Sequence, residues 1–130
     1  GPRMRSNMAI ATFVRRAMKK EPITIFGDGN QGRCFIYVED LTEGSVASST
    51  PMGRNQVFNL AGIEFITIND IVSQLREIFG EVSVECAAPR PGDFKGVQTS
   101  SEKAKALLGW KPKIDFREGL ERYISNLGTH

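Results

Sequence analysis

Apolar residues recur at helical spacing in three stretches of the chain. In the first, over 7–20, Ile10, Phe13, Val14, Ala17 and Met18 share one face, and Arg15, Arg16, Lys19 and Lys20 lie elsewhere. Ser6 or Asn7 stands where a cap belongs, and Pro22 ends the pattern. In the second, Ile71, Val72, Leu75, Ile78 and Phe79 form a stripe after Thr67, which has Asp70 at capping-box spacing, and Gly80 is the stop. In the third, Leu120, Tyr123, Ile124 and Leu127 follow Asp115 and Glu118. Shorter helices are expected near 39–48 and over 101–108, the latter stopped by Gly109. Strands are expected at 23–26, 33–38, 57–60 and 82–87. Residues 27–32 read as a hairpin turn, and 51–55 and 89–93 as loops. Five helices among short strands predict an α/β fold.

Composition narrows the class. The chain has 130 residues, enough for one domain with a real core. Its 17 basic residues are interleaved with 15 acidic ones, so no clustered basic face for nucleic acid is expected. Cys34 and Cys86 stand alone, and the single histidine is His130, so no metal site is expected and both cysteines read as free thiols. No apolar run approaches the roughly 20 residues of a membrane span, and no leader is visible. The expected location is the cytoplasm.

Candidate chemistry is sparse. Gly27-Asp-Gly29-Asn-Gln-Gly32 spells G-x-G-x-x-G, but a dinucleotide fingerprint opens a helix, and here a strand is expected to follow. Neither tyrosine begins a Tyr-x-x-x-Lys pair, because Leu41 follows Tyr37 and Leu127 follows Tyr123 at that spacing. No catalytic residue is therefore assigned. Two arginines are better placed. Arg33 stands where the turn enters a strand, and Arg90 stands in a Pro-Arg-Pro-Gly-Asp loop that proline stiffens. Guanidinium forks grip phosphate oxygens bidentately, though either arginine also suits a surface ion pair. Asp93 offers an acceptor for ribose hydroxyls, and the helix start at Asn7 and Met8 offers backbone N–H donors to an anion.

Five segments in order carry a resemblance. They are Glu21-Pro-Ile-Thr-Ile-Phe-Gly-Asp-Gly-Asn-Gln-Gly-Arg33, Phe35-Ile-Tyr-Val-Glu-Asp40, Val57-Phe-Asn-Leu60, Ala88-Pro-Arg-Pro-Gly-Asp93 and Leu107-Leu-Gly-Trp-Lys-Pro112. Together they resemble the C-terminal, nucleotide-sugar-binding part of an extended short-chain dehydrogenase/reductase, in the NAD-dependent epimerase/dehydratase family. The resemblance covers the chain to about residue 127, leaving 128–130 as a tail. It implies a Rossmann-type enzyme whose NAD-binding half is not among these residues, with 39–60 belonging to the Rossmann lobe of the full-length family.

The resemblance also implies site roles. Asn7 and Met8 face the diphosphate of a UDP-sugar, Thr24 and Phe26 line the base pocket, Arg33 and Arg90 bind phosphate and ribose oxygens, and Asp93 binds ribose. The tract Arg5-Ser-Asn-Met-Ala9 is similar to the Arg-Pro-Asp-Met-Ala of epimerases acting on UDP-glucuronate, which would bring Arg5 to a sugar carboxylate. Ser6 and Asn7 depart from that pattern. The function implied is UDP-sugar binding within an NAD-dependent 4-epimerase, inactive alone and binding no cofactor itself. A 4,6-dehydratase or decarboxylase with the same cradle is the alternative within enzymes. A non-catalytic nucleotide-sugar or protein-binding module is the alternative outside them. Neighbours missing from segment 39–60 lead to the expectation of a homodimer or higher self-association.

Overall fold

The computed structural model describes residues 1–92 and 95–128. The elements run α1 (Ala9–Met18), β1 (Ile23–Phe26), β2 (Gly32–Arg33), α2 (Val38–Ser48), a 3-10 turn (Pro51–Gly53), β3 (Ile66–Thr67), α3 (Ile68–Phe79), β4 (Val84–Ala87), α4 (Glu102–Leu108) and α5 (Phe116–Leu127). Two compact units alternate along the sequence. A sheet unit takes Pro2–Gly32 and Ile66–Gly96, and a helical unit takes Gly1, Arg33–Phe65 and Val97–His130.

In the sheet unit, β1 pairs in parallel with β4, from Ile23 opposite Val84 to Phe26 opposite Ala87. Alternation along β1 buries Ile23 and Ile25 and turns Thr24 and Phe26 to the other face. Val14 of α1 and Ile71 and Leu75 of α3 are fully buried with Ile23. α3 begins as its sequence requires: Thr67 Oγ1 accepts from Asp70 N at 3.1 Å, and Thr67 N donates to Asp70 Oδ2 at 2.9 Å. That reciprocal pair satisfies two donors the helix end would leave open.

The helical unit is organised around a buried carboxylate. Asp40 is 2% exposed, and its Oδ2 accepts from the backbone of Lys113 and Ile114 at 3.1 and 2.9 Å. Its carbonyl accepts from Trp110 Nε1 at 3.1 Å. These bonds tie the first turn of α2 to the segment between α4 and α5. Gly109 makes that segment possible: at φ +64 it adopts the left-handed conformation that ends α4 and turns the chain. Tyr37, Ala61, Ala104, Leu120 and Tyr123 are buried in the same unit, and the rings of Phe35 and Phe116 lie 5.4 Å apart.

Four expectations are corrected. The strand expected at 33–38 is only Gly32–Arg33; α2 captures Val38, with Glu39 and Asp40 suiting its positive end. Phe35 and Tyr37 alternate because they pack toward α5, not because they pair in a sheet. The segment 57–60 joins no ladder among the described residues. Leu60 instead reaches the bare backbone of Gly44, Phe58 lies 5.3 Å from Lys103 Nζ, and Val57 is 83% exposed. The turn at 27–32 closes no hairpin, since β1 pairs with β4 and β2 with β3. It is pinned to the start of α3, where Asn69 Nδ2 donates to Asp28 O at 3.0 Å and Asn69 N to Gly29 O at 3.1 Å. A side chain at Gly29, whose φ is +74, would strike Asn69. Finally, neither Ser6 nor Asn7 caps α1: the cap position is Met8, with no side-chain bond. Part of the 51–55 loop is the 3-10 turn.

Candidate ligand-binding site

A cavity of about 520 Å³ lies within the sheet unit. One wall is a stripe of α1, namely Ala9, Thr12, Phe13 and Arg16, whose spacing of three, one and three residues is that of one helix face. Thr24 and Phe26 of β1 form the second wall, on the face opposite buried Ile23 and Ile25. Arg90 closes over this wall with its guanidinium carbon 3.7 Å from the centre of the Phe26 ring, a cation–π contact. Gln31 also lines the cavity, and its Nε2 donates to Phe26 O at 2.9 Å.

The start of α1 opens onto the same space. Asn7, Met8 and Ala9 line it, no side chain caps the first turn, and that turn carries no acidic residue. Its N–H groups and the positive end of the helix dipole therefore suit an anion. Arg16 and Arg90 are the charged residues of the lining, and no carboxylate accompanies them among its described members. Arg16 is held in place: its Nη1 donates to Pro22 O at 2.7 Å and to Thr24 Oγ1 at 3.4 Å. The arrangement is a cationic cleft with an aromatic wall, suited to a flat, negatively charged ligand. A neighbouring cavity of about 630 Å³ shares Phe26 and Gln31 and includes Asp28, whose carboxyl is held below the usual range chiefly by the Asn30 backbone N–H.

Five sequence-predicted residues line the first cavity: Asn7, Met8, Thr24, Phe26 and Arg90. Arg5 is exposed and outside the lining; its carbonyl accepts from Met8 N at 3.1 Å in the turn before α1. Arg33 belongs to the helical unit and is exposed. Asp93 lies outside the described residues. Sequence reasoning missed Thr12, Phe13, Gln31 and Arg16 as lining residues. The available signal was the 9, 12, 13, 16 stripe running from the helix start, distinct from the core stripe through Val14 and Ala17.

Residues 1–123 match the family model described as GDP-mannose 4,6 dehydratase. The chain belongs to this family of NAD-dependent epimerases and dehydratases. It is 37% identical over 127 residues to a UDP-glucuronate 4-epimerase of Thermodesulfobacterium geofontis, covering 96% of this chain and 39% of that protein. It is 35% identical over 131 residues to UDP-glucuronic acid decarboxylase 1 of Arabidopsis thaliana, covering 97% and 29%. Among solved structures, the UDP-glucuronic acid 4-epimerase of Bacillus cereus, in complex with UDP-glucuronic acid and NAD, superposes with a TM-score of 0.88 at 35% identity. That match covers 98% of this chain and 42% of the other. The chain thus spans two-fifths or less of the length of these two curated relatives. The α/β class and the correspondence to part of an extended short-chain dehydrogenase/reductase agree with the expectation from sequence.

The G-x-G-x-x-G run leads into β2 and not into a helix, so it is not the strand–turn–helix arrangement of a dinucleotide fingerprint. No helix of the described residues is long and apolar enough to cross a membrane.

Proposed function

We propose that this chain is the nucleotide-sugar-binding region of a UDP-sugar 4-epimerase, with the diphosphate at the start of α1 and the nucleoside along β1. The observation that carries the reading is the cavity: two guanidiniums, an uncapped helix start and an aromatic wall line one cleft. Arg90 holds phosphate and ribose oxygens in this cleft; the roles that the resemblance gives Arg33, Asp93 and Arg5 form no part of this reading, since Arg33 and Arg5 lie outside the lining. Relatives named for UDP-glucuronate support the sugar-nucleotide class. The similarity to a decarboxylase supports a second reading with the same cradle and a different reaction. Segment 39–60 serves the dinucleotide lobe of the longer protein, and these 130 residues, which hold no Tyr-x-x-x-Lys, bind without turnover.

Calorimetric titration with UDP tests this. Loss of one charged hydrogen-bond donor weakens binding about ten- to a hundredfold, and that is the expected effect of Arg90→Ala. Equal binding by wild type and variant, or no binding by wild type, overturns the proposal. Incubation with NAD and UDP-glucuronate is expected to leave the sugar unchanged, and any conversion would overturn the reading as a binding region.

A further inference from the structure

Resting on that reading, we infer that Arg16 reads the nucleobase. It selects a base whose exposed edge presents carbonyl oxygens, whereas Arg90 holds the ligand whatever its base. The two arginines of the cleft are held differently. Arg90 lies over the face of Phe26. Arg16 is tethered where α1 returns into β1: both protons of Nη1 are used, toward Pro22 O and Thr24 Oγ1. Its Nη2 and Nε remain as donors in a planar fork of fixed orientation. None of the ion pairs among the described residues involves it. A half-buried guanidinium lining a cavity with only backbone and hydroxyl partners leaves donors for a ligand.

Position along α1 decides which part of the ligand it meets. Arg16 is seven residues beyond Ala9, or about 10 Å along the helix at 1.5 Å per residue. That is about the reach of a nucleoside diphosphate from its terminal phosphate to its base. A diphosphate at the helix start therefore sets its base at Arg16. β1 gives the same order: Thr24, which touches Arg16, is at the joint, and Phe26 is two residues further along the same face, about 6.6 Å away.

The chemistry then favours one pyrimidine over the other. Guanidinium is a donor only. Both pyrimidines carry the O2 acceptor, but at the 4-position uracil has a carbonyl and cytosine an amino group, so a guanidinium directed at that position meets an acceptor in uracil and a donor in cytosine. UDP and CDP are otherwise nearly the same in size and charge, which makes them a clean pair of probes.

Titration of the 130-residue chain with each nucleotide tests the inference. Wild type is expected to prefer UDP over CDP by about tenfold or more, the worth of one charge-assisted hydrogen bond. Arg16→Met keeps the side-chain stem and removes every donor; it is expected to bring the ratio near one. Arg90→Ala is expected to weaken both nucleotides and to keep the ratio. Thr24→Val removes one tether and leaves the guanidinium; a partial loss of preference supports the tethered geometry. If Arg16→Met does not fold, as judged by circular dichroism, Thr24→Val decides, and an unchanged ratio there overturns the inference. A folded Arg16→Met that retains the wild-type ratio overturns it, as does a wild type that binds both nucleotides equally. Wild type that binds neither nucleotide defeats the nucleotide-sugar reading itself.

Discussion

The two units differ in the large side chains they bury completely. Four of the five largest fully buried side chains, Val14, Ile23, Ile71 and Leu75, are aliphatic and lie in the sheet unit; the fifth is Asp40, in the helical unit. Their surfaces differ in the opposite sense. Of the ten exposed large hydrophobics among the described residues, Met8 and Met18 belong to the sheet unit, and Met8 lines the cleft. The other eight, among them Val38, Leu41, Val46 and Val57, belong to the helical unit. The sheet unit thus puts apolar side chains inward and lines its cleft with two guanidiniums. The helical unit orders its interior with directed hydrogen bonds and leaves apolar surface outward, which soluble proteins ordinarily cover.

Breaking the polar hub should give the largest effect. Trp110→Ala removes a buried ring and the side-chain donor to the Asp40 carbonyl, at a cost of about 3–5 kcal/mol. Urea denaturation measures this, and a loss below about 1 kcal/mol would show that the helical unit is not organised around Trp110. In the sheet unit, Thr67→Ala should cost about 1 kcal/mol by undoing the capping box. Here acid sharpens the contrast. The Thr67 hydroxyl, and then its backbone N–H, hold the Asp70 carboxyl below the usual range. A carboxyl depressed in the folded state contributes stability that is full above its unfolded value, about 3.9, and lost as pH falls through the folded one. The gap between wild type and Thr67→Ala should therefore narrow as pH drops below about 4, and a constant gap would assign the cap to the hydroxyl alone. The smallest stability change belongs to the outward apolar face. Leu41→Lys with Val57→Thr should shift stability by about 0.5 kcal/mol or less, yet lower the mass seen by light scattering at high concentration. Wild type that stays monomeric throughout would mean this surface needs no cover.

Legibility in the sequence followed the locality of the cause. β1 lies where its alternation put it, and α3 begins at Thr67 and stops at Gly80 because cap, stripe and stop are all local. The site is half legible: α1 and β1 bring Asn7, Met8, Thr24 and Phe26 to one cleft, while helix spacing places Arg16 only off the apolar face, with Arg15, Lys19 and Lys20. Its role depends on Pro22 and Thr24 returning beside it, which helix periodicity alone does not show. The segment 57–60 has the residue types of a strand, but a ladder requires a partner edge, and pairing is not a property of one segment.

The parallel pairing of β1 with β4 has a consequence during synthesis. Ile23 meets Val84, 61 residues later by subtraction of their numbers. At about 5–20 residues per second, roughly 3–12 s separate the emergence of the two from the ribosome. Throughout that interval the β1 edge that pairs with β4 has its backbone N–H and C=O groups without their partner, and all of 33–65 is made in the meantime. The nascent chain therefore carries a vacant strand while a different unit is being spelled out, a window in which a chaperone, or a neighbouring chain on the same messenger, can reach that edge first.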